Sequence, residues 1–156
     1  MSHPRGYALP IASLAGALHA PMLGAYSSSK AAVEALGNTL RVELLHTGAR
    51  VGVAYFGFID TEMVKRGMQT RAVEQAPRLR QAIVKPVPLA RAVDAIERGV
   101  ERRATRVTAP GWVAGALPLR MLIQPLVDRT GGGLEQALAV AREEQAPLTT
   151  LQPDSR

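Results

Sequence analysis

The stretch AYSSSKAAVEAL, residues 25–36, places Tyr26 four positions before Lys30. On a helix, residues four apart share a face, so the phenol and the ammonium project side by side. An isolated phenol titrates near pH ~10 and exchanges protons poorly at neutral pH. A neighbouring cation favours its phenolate, which makes the pair a candidate general acid/base. The pair alone is a weak signal, because Tyr-x-x-x-Lys occurs in many helices that do no chemistry. Two further features strengthen it. Ser13 stands thirteen positions before Tyr26, at the end of an apolar stretch, and the turn FGFIDTEM (56–63) carries Gly57 and Thr61.

Positioning such groups requires particular elements. Residues 7–13, YALPIAS, read as a short buried strand with Pro10 inside it. A helix rich in Ala, Leu and Glu is expected over 25–46, with Gly48 as its stop. Its apolar positions wrap most of the circumference, which predicts cover on more than one side. ARVGVAYFG (49–57) reads as a second buried strand. Strand, long helix and strand form a βαβ unit with parallel strands and a right-handed crossover.

Residues 58–86 are polar and rich in Arg and Gln, and 62–86 are expected to form a mobile helical lid over the cleft. PLARAVDAIERGVERR (88–103) has the pattern of an amphipathic helix whose inner face carries Ala92, Ala95, Ile96 and Val100. TRVTAP (105–110) suits a third strand. The segment 111–129 is apolar but broken by Pro118 and Pro125; TGGGLEQAL (130–138) reads as a loop, and the last residues as a frayed tail. In this arrangement Ser13, Tyr26, Lys30 and the turn at Gly57 lie at or just past the C-terminal ends of adjacent strands, where open α/β sheets place their ligands.

The bulk composition narrows the classes. A chain of 156 residues is long enough for one domain, and 47% apolar with 21% charged content is ordinary for a globular protein. Aromatics amount to 4%, so the core must be built from Ala, Val, Leu, Ile and Met. The absence of Cys excludes disulfides and thiolate chemistry, and three scattered His residues lack metal-ligand spacing. The net charge of +6 would suit nucleic acid, an acidic membrane surface or a phosphorylated cofactor. No basic run exceeds two residues, which favours solvated helix faces and speaks against nucleic acid. No signal peptide or uninterrupted apolar span is visible, so the expected location is cytoplasmic. Peripheral contact with a membrane through 111–129 stays open.

These residues resemble the C-terminal half of a short-chain dehydrogenase/reductase, from the strand carrying that family's catalytic Ser onward. The matching stretches are GYALPIASLAG, AYSSSKAAVEALGNTLRVEL, GARVGVAYFGFIDTEM and, more loosely, VPLARAVDAIERGVERR, together roughly residues 6–103. The resemblance implies a partial Rossmann-like, doubly wound parallel sheet over 1–110 and a helical or irregular extension over 111–156. It implies that Tyr26 exchanges a proton with the substrate oxygen. Lys30 would favour the phenolate and hold the nicotinamide ribose, and Ser13 would hydrogen-bond the substrate carbonyl. Gly57 would belong to the cofactor-binding turn, the backbone near Ile59 would meet the nicotinamide carboxamide, and Thr61 would lie near the cofactor's amide or phosphates. The implied cofactor is NAD or NADP, the substrate a small carbonyl or alcohol, and the assembly a homo-oligomer or a pair with a complementing chain.

Three departures stand out. The family usually has Pro-Gly after the second strand, where this sequence has Phe56-Gly57. Pro10 occupies a strand position that usually donates a backbone hydrogen bond. The family's glycine-rich dinucleotide fingerprint and its Asn-Asn-Ala-Gly stretch do not occur in the sequence. A truncated oxidoreductase and a non-catalytic remnant or interaction module are both compatible with that pattern.

Overall fold

The computed structural model describes residues 6–20, 23–62, 64–65 and 85–129. Parallel pairing joins β1 (Tyr7–Ala8) to β2 (Arg50–Val51) and β3 (Val53–Phe56) to β4 (Arg106–Ala109). A parallel bridge between Ile11 and Ala54 ties the two pairs together, so 50–56 runs between 7–11 on one side and 106–109 on the other.

The expected strand at 7–13 is thus interrupted, and Pro10 is the physical reason. The Gly52 N–H donates to Ala8, the Ala54 N–H to Pro10 and the Ala12 N–H to Ala54. The donor that would complete this ladder, toward Gly52, is the N–H that proline lacks. The ladder lapses at Pro10 and Gly52 and resumes at Ile11. Gly52 itself cannot carry a side chain. A β-carbon there would collide with the Ala104 carbonyl and with the Tyr7 hydroxyl, which donates to that carbonyl at 2.7 Å.

Alternation along β3 sends Val53 and Tyr55 to one face of the sheet and Ala54 to the other. The first face packs Val53 and Tyr55 with Ala12, Leu14, Val113, Ala116 and Leu117. The second packs Ala54 and Ile59 with Ala92, Ala95, Val107 and Ala109.

Helix α1 (Gly24–Glu43) lies across the first face, ends in a 3₁₀ turn at Leu45–Thr47, and stops where Gly48 takes the left-handed φ of 74°. A β-carbon at Gly37 would come within 2.5 Å of Val53, so this glycine lets the helix approach the sheet closely. Among the described residues, cover on more than one side of α1 is not found. Leu36, Val42 and Leu45 are each more than half exposed, because only one face of α1 meets described structure.

Helix α2 (Leu89–Glu101) covers the second face through Ala92 and Ala95. Its inner line then runs through Gly99, which approaches Val107 so closely that a side chain would clash. Val100, expected inside, is consequently turned outward and about half exposed.

After β4 come α3 (Val113–Ala116) and α4 (Arg120–Arg129). Pro118 separates the two, as the sequence suggests, whereas Pro125 lies inside α4 without ending it. The carbonyl deprived of its donor by Pro125 belongs to Met121, on the exposed side of the helix where solvent can serve it. The expected lid over 62–86 falls mostly outside the described residues, and the loop at 130–138 and the tail fall wholly outside them. The described part of the excursion leaves and returns at one place. The Asp60 N–H donates to Val87, and the Val87 N–H to Phe58.

Candidate functional site

At the C-terminal end of the first strand the chain turns sharply at Ser13. Its extended backbone caps a 3₁₀ turn over Leu14–Gly16, and its hydroxyl oxygen accepts from the Ala15 N–H at 3.2 Å. The same hydroxyl donates to the Phe56 carbonyl at 3.3 Å, so Ser13 spans the ends of the first strand and β3. It is buried, with 8% of its surface exposed. The turn lies directly against α1. A β-carbon at Gly16 would stand 2.8 Å from the backbone of Lys30, so glycine permits this approach.

Tyr26 sits in the first turns of α1 and Lys30 one turn on. The Lys30 ammonium lies 5.7 Å from the centre of the Tyr26 ring and donates to the Ile11 carbonyl at 3.2 Å. The helix thereby brings Lys30 to the strand end two residues before Ser13. Both Tyr26 and Lys30 are half-buried, which leaves each reachable from solvent.

Beyond Phe56 the chain passes through Gly57, whose N–H donates to Ala109 at 2.9 Å. A β-carbon there would stand 3.2 Å from the Pro110 ring, so packing leaves little room for a side chain at this position. Ile59 bridges Val87 in parallel register. In such a bridge the bonds to Val87 come from Phe58 and Asp60, so the N–H and C=O of Ile59 itself point the opposite way. Its side chain is buried in the second core face. Thr61 stands apart from the others. Its hydroxyl oxygen accepts from the Val64 N–H at 3.4 Å and its carbonyl from the Lys65 N–H at 2.9 Å, so its bonds are local. The structure therefore brings Ser13, Tyr26 and Lys30 to neighbouring strand ends, sets Gly57 beside them, and leaves Thr61 as the cap of the next turn.

Two contacts near this site escaped the sequence reading. Glu34, one helical turn past Lys30, accepts from Arg120 at 2.9 Å. Burial pushes the Tyr55 phenol above the usual tyrosine range, the Glu34 carboxylate adds to that, and Arg106 and Arg41 oppose it. These groups line a cavity of about 230 Å³ together with Arg106, Leu117, Pro118 and Met121. The i, i+4 spacing of Lys30 and Glu34 was visible in the sequence, but the Arg120 partner, 86 residues away, was not. Farther along α4, Gln124 donates to the His19 carbonyl at 3.0 Å and accepts the His19 N–H at 2.8 Å. This latch ties α4 to the segment between Ser13 and Tyr26. Among the described residues no cluster of His, Cys, Asp and Glu is arranged to hold a metal.

The sequence and the fold are similar to those of other proteins. Residues 1–72 match the model of the short chain dehydrogenase family. The NADPH-dependent 3-dehydrocapnine reductase of Ornithobacterium rhinotracheale is 48% identical over 59 residues, 38% of this chain and 21% of that enzyme. An uncharacterized oxidoreductase of Mycobacterium tuberculosis is 30% identical over 121 residues, 77% of this chain and 43% of the relative. A short chain dehydrogenase/reductase from Burkholderia phymatum, solved in complex with NAD, superposes with a TM-score of 0.58 at 20% identity, over 78% of this chain and 49% of its own length. The fold is accordingly part of a Rossmann-like α/β sheet. The chain spans less than half the length of these curated relatives.

Proposed function

Because residues 1–72 belong to the short chain dehydrogenase family, we propose that this chain carries the proton-transfer and nicotinamide-facing part of an oxidoreductase that uses NAD or NADP to interconvert a carbonyl and an alcohol. The observation that carries the proposal is the position of Lys30, stacked on the Tyr26 ring and bonded to Ile11 at the strand end where Ser13 meets Phe56.

The residues present fit one half of the cofactor. Lys30, Tyr26 and the outward backbone groups of Ile59 are donors and acceptors suited to a nicotinamide ribose and its carboxamide. The glycine-rich turn that would cradle a pyrophosphate has no counterpart in the sequence. When bound, the nicotinamide supplies a hydride to the substrate carbon in reduction and takes one back in oxidation.

The chain's own residues handle the oxygen. The Tyr26 hydroxyl gives its proton to the substrate oxygen as that oxygen gains electron density, and Lys30 stabilises the phenolate left behind. Ser13 orients the carbonyl with its hydroxyl proton, which it withdraws from the Phe56 carbonyl to do so. Thr61, as the cap of the turn beyond Ile59, fixes the nicotinamide-side loop. In oxidation each proton movement runs in reverse.

Groups that hold the adenosine and pyrophosphate are contributed from outside these 156 residues, by a complementing chain or by a longer form of the protein. The outer face of α1, with Leu36, Val42 and Leu45 exposed, is the surface on which such a partner or a second copy docks. The test is turnover. NADH and NADPH oxidation should be followed against a panel of small ketones and aldehydes, with the chain alone and with the separately produced dinucleotide-binding segment of a solved relative. Turnover that depends on both pieces and is lost in Tyr26→Phe supports the proposal. Complemented turnover that survives Tyr26→Phe refutes it.

A further inference from the structure

The segment after β4 shows solvent an almost wholly apolar outer side. Trp112, Leu119, Met121, Leu122 and Leu126 are between 45% and 80% exposed. On α4, positions 121, 122, 125 and 126 recur at helical spacing and share one side. The inner side is held in place: Val113, Ala116 and Leu117 are buried in the first core face, Arg120 is paired with Glu34, and Gln124 is latched to His19. The outward direction of the stripe is thus set by the fold.

The charged groups bordering the stripe are two arginines and one carboxylate. Arg120 and Arg129 mark the two ends of α4. Asp128, the one carboxylate in 111–129, accepts from Gln124 at 2.8 Å. The whole chain carries +6. A ten-residue helix is about 15 Å long and roughly 10 Å wide, so its outer side offers on the order of 200 Å². A stable protein pair buries roughly 800 Å² on each partner, several times as much. No helix among the described residues is long and apolar enough to cross a membrane.

We infer that the outer side of α3 and α4 is a docking surface for an anionic lipid bilayer. Leu119, Met121, Leu122 and Leu126 enter the boundary between headgroups and acyl chains, Arg129 meets lipid phosphates, and Trp112 sits at the headgroup level. The helix lies on the surface and does not span it. The latch from Gln124 to His19 would place the candidate site next to that surface.

Trp112 is the sole tryptophan of the sequence and serves as the reporter. The 156-residue chain should be mixed with vesicles of phosphatidylcholine alone and of phosphatidylcholine with phosphatidylserine, with sedimentation and Trp112 fluorescence as readouts. The expected result is co-sedimentation and a blue shift with the phosphatidylserine vesicles, both weakening as salt is added. The exposed double substitution Leu122→Glu with Leu126→Glu should lower binding at least about tenfold while leaving the circular dichroism unchanged. Arg129→Glu, which leaves the apolar stripe intact, should weaken only the phosphatidylserine-dependent part. Absence of vesicle binding, or binding that the double variant does not reduce, overturns the inference. A solution mass that falls in the double variant, without vesicle binding, assigns the surface to a second copy instead. Binding seen only after removal of residues 130–156 shows that this segment covers the stripe, which also overturns it.

Discussion

The ammonium of Lys30 reaches the carbonyl oxygen of Ile11 at 3.2 Å and so ties the middle of α1 to the end of the first strand. Ser13 lies two residues beyond Ile11, and Tyr26 one helical turn before Lys30. This hydrogen bond, with the close approach of Gly16 to the backbone of Lys30, holds the helix that carries Tyr26 against the strand end that carries Ser13.

Tyr26→Phe removes one oxygen from this arrangement and leaves the ring over which Lys30 lies. Turnover in the complemented enzyme should fall by about 10²- to 10⁴-fold, the usual range for loss of a general acid/base. The urea midpoint should stay within error of the parent chain, because the half-buried phenol makes no hydrogen bond among the described residues. A fall in midpoint that matches the fall in rate would assign Tyr26 a structural role.

Ser13→Ala should act on two properties at once. The hydroxyl caps Ala15 and bonds Phe56, so its removal should cost about 1 kcal/mol of stability, as loss of a side-chain cap usually does. It should also lower turnover, because the carbonyl-orienting donor is gone. Ser13→Thr, which keeps the hydroxyl, should recover part of both. Urea denaturation and kcat/KM measured on the same preparations separate the two effects.

Gly52→Ala tests the crossing of Tyr7 over the central strand. The added methyl has no free volume between Ala104 and the Tyr7 hydroxyl. Destabilisation should reach about 1–3 kcal/mol or more, the usual cost of overpacking a well-packed site. The double variant Gly52→Ala with Tyr7→Phe should recover a part of it by removing one of the two colliding atoms. A near-neutral Gly52→Ala would mean that the crossing is not formed in solution.

Stability should decline at high pH. Burial raises the phenol of Tyr7, against the opposing charge of Arg41, and burial with Glu34 raises that of Tyr55. Both phenols therefore stay neutral in the fold at a pH where the unfolded chain, with tyrosines near ~10, has begun to ionise. Their contribution is present in full below that unfolded value and is lost as pH climbs through the raised folded values. The urea midpoint should begin to drop as pH approaches the ~10 at which unfolded tyrosines ionise, and Tyr55→Phe should flatten part of the drop. An identical pH profile in Tyr55→Phe would contradict this assignment.

Much of the fold is legible in the sequence where a local rule decides it. Three parallel strand segments follow from apolar runs, α1 from its composition, and its end from Gly48 in the left-handed region. Ser13, Tyr26 and Lys30 were legible because their spacing follows from one strand, one turn and one helix. Long-range partners were less so. Val100 was expected inside because its spacing from Ala92 and Ile96 is helical, yet Gly99, with no side chain, takes the contact with Val107. Pro125 reads locally as a helix breaker, but the orphaned carbonyl faces solvent and the helix continues. Glu34 could be placed on the Lys30 side of α1, while its partners Tyr55 and Arg120 depend on how three distant elements pack.

The most direct measurement uses the two halves of the cofactor as separate probes. An isotope-labelled chain should be titrated with nicotinamide mononucleotide and, independently, with AMP, while its backbone amide resonances are followed by NMR. Nicotinamide mononucleotide should shift the amides of Ser13, Tyr26, Lys30 and Ile59, and Lys30→Met should weaken the response. AMP should leave those amides unmoved at the same concentration. If AMP moves them at lower concentration than nicotinamide mononucleotide, or if nicotinamide mononucleotide moves none of them, the chain does not carry the nicotinamide-facing part of a dehydrogenase site.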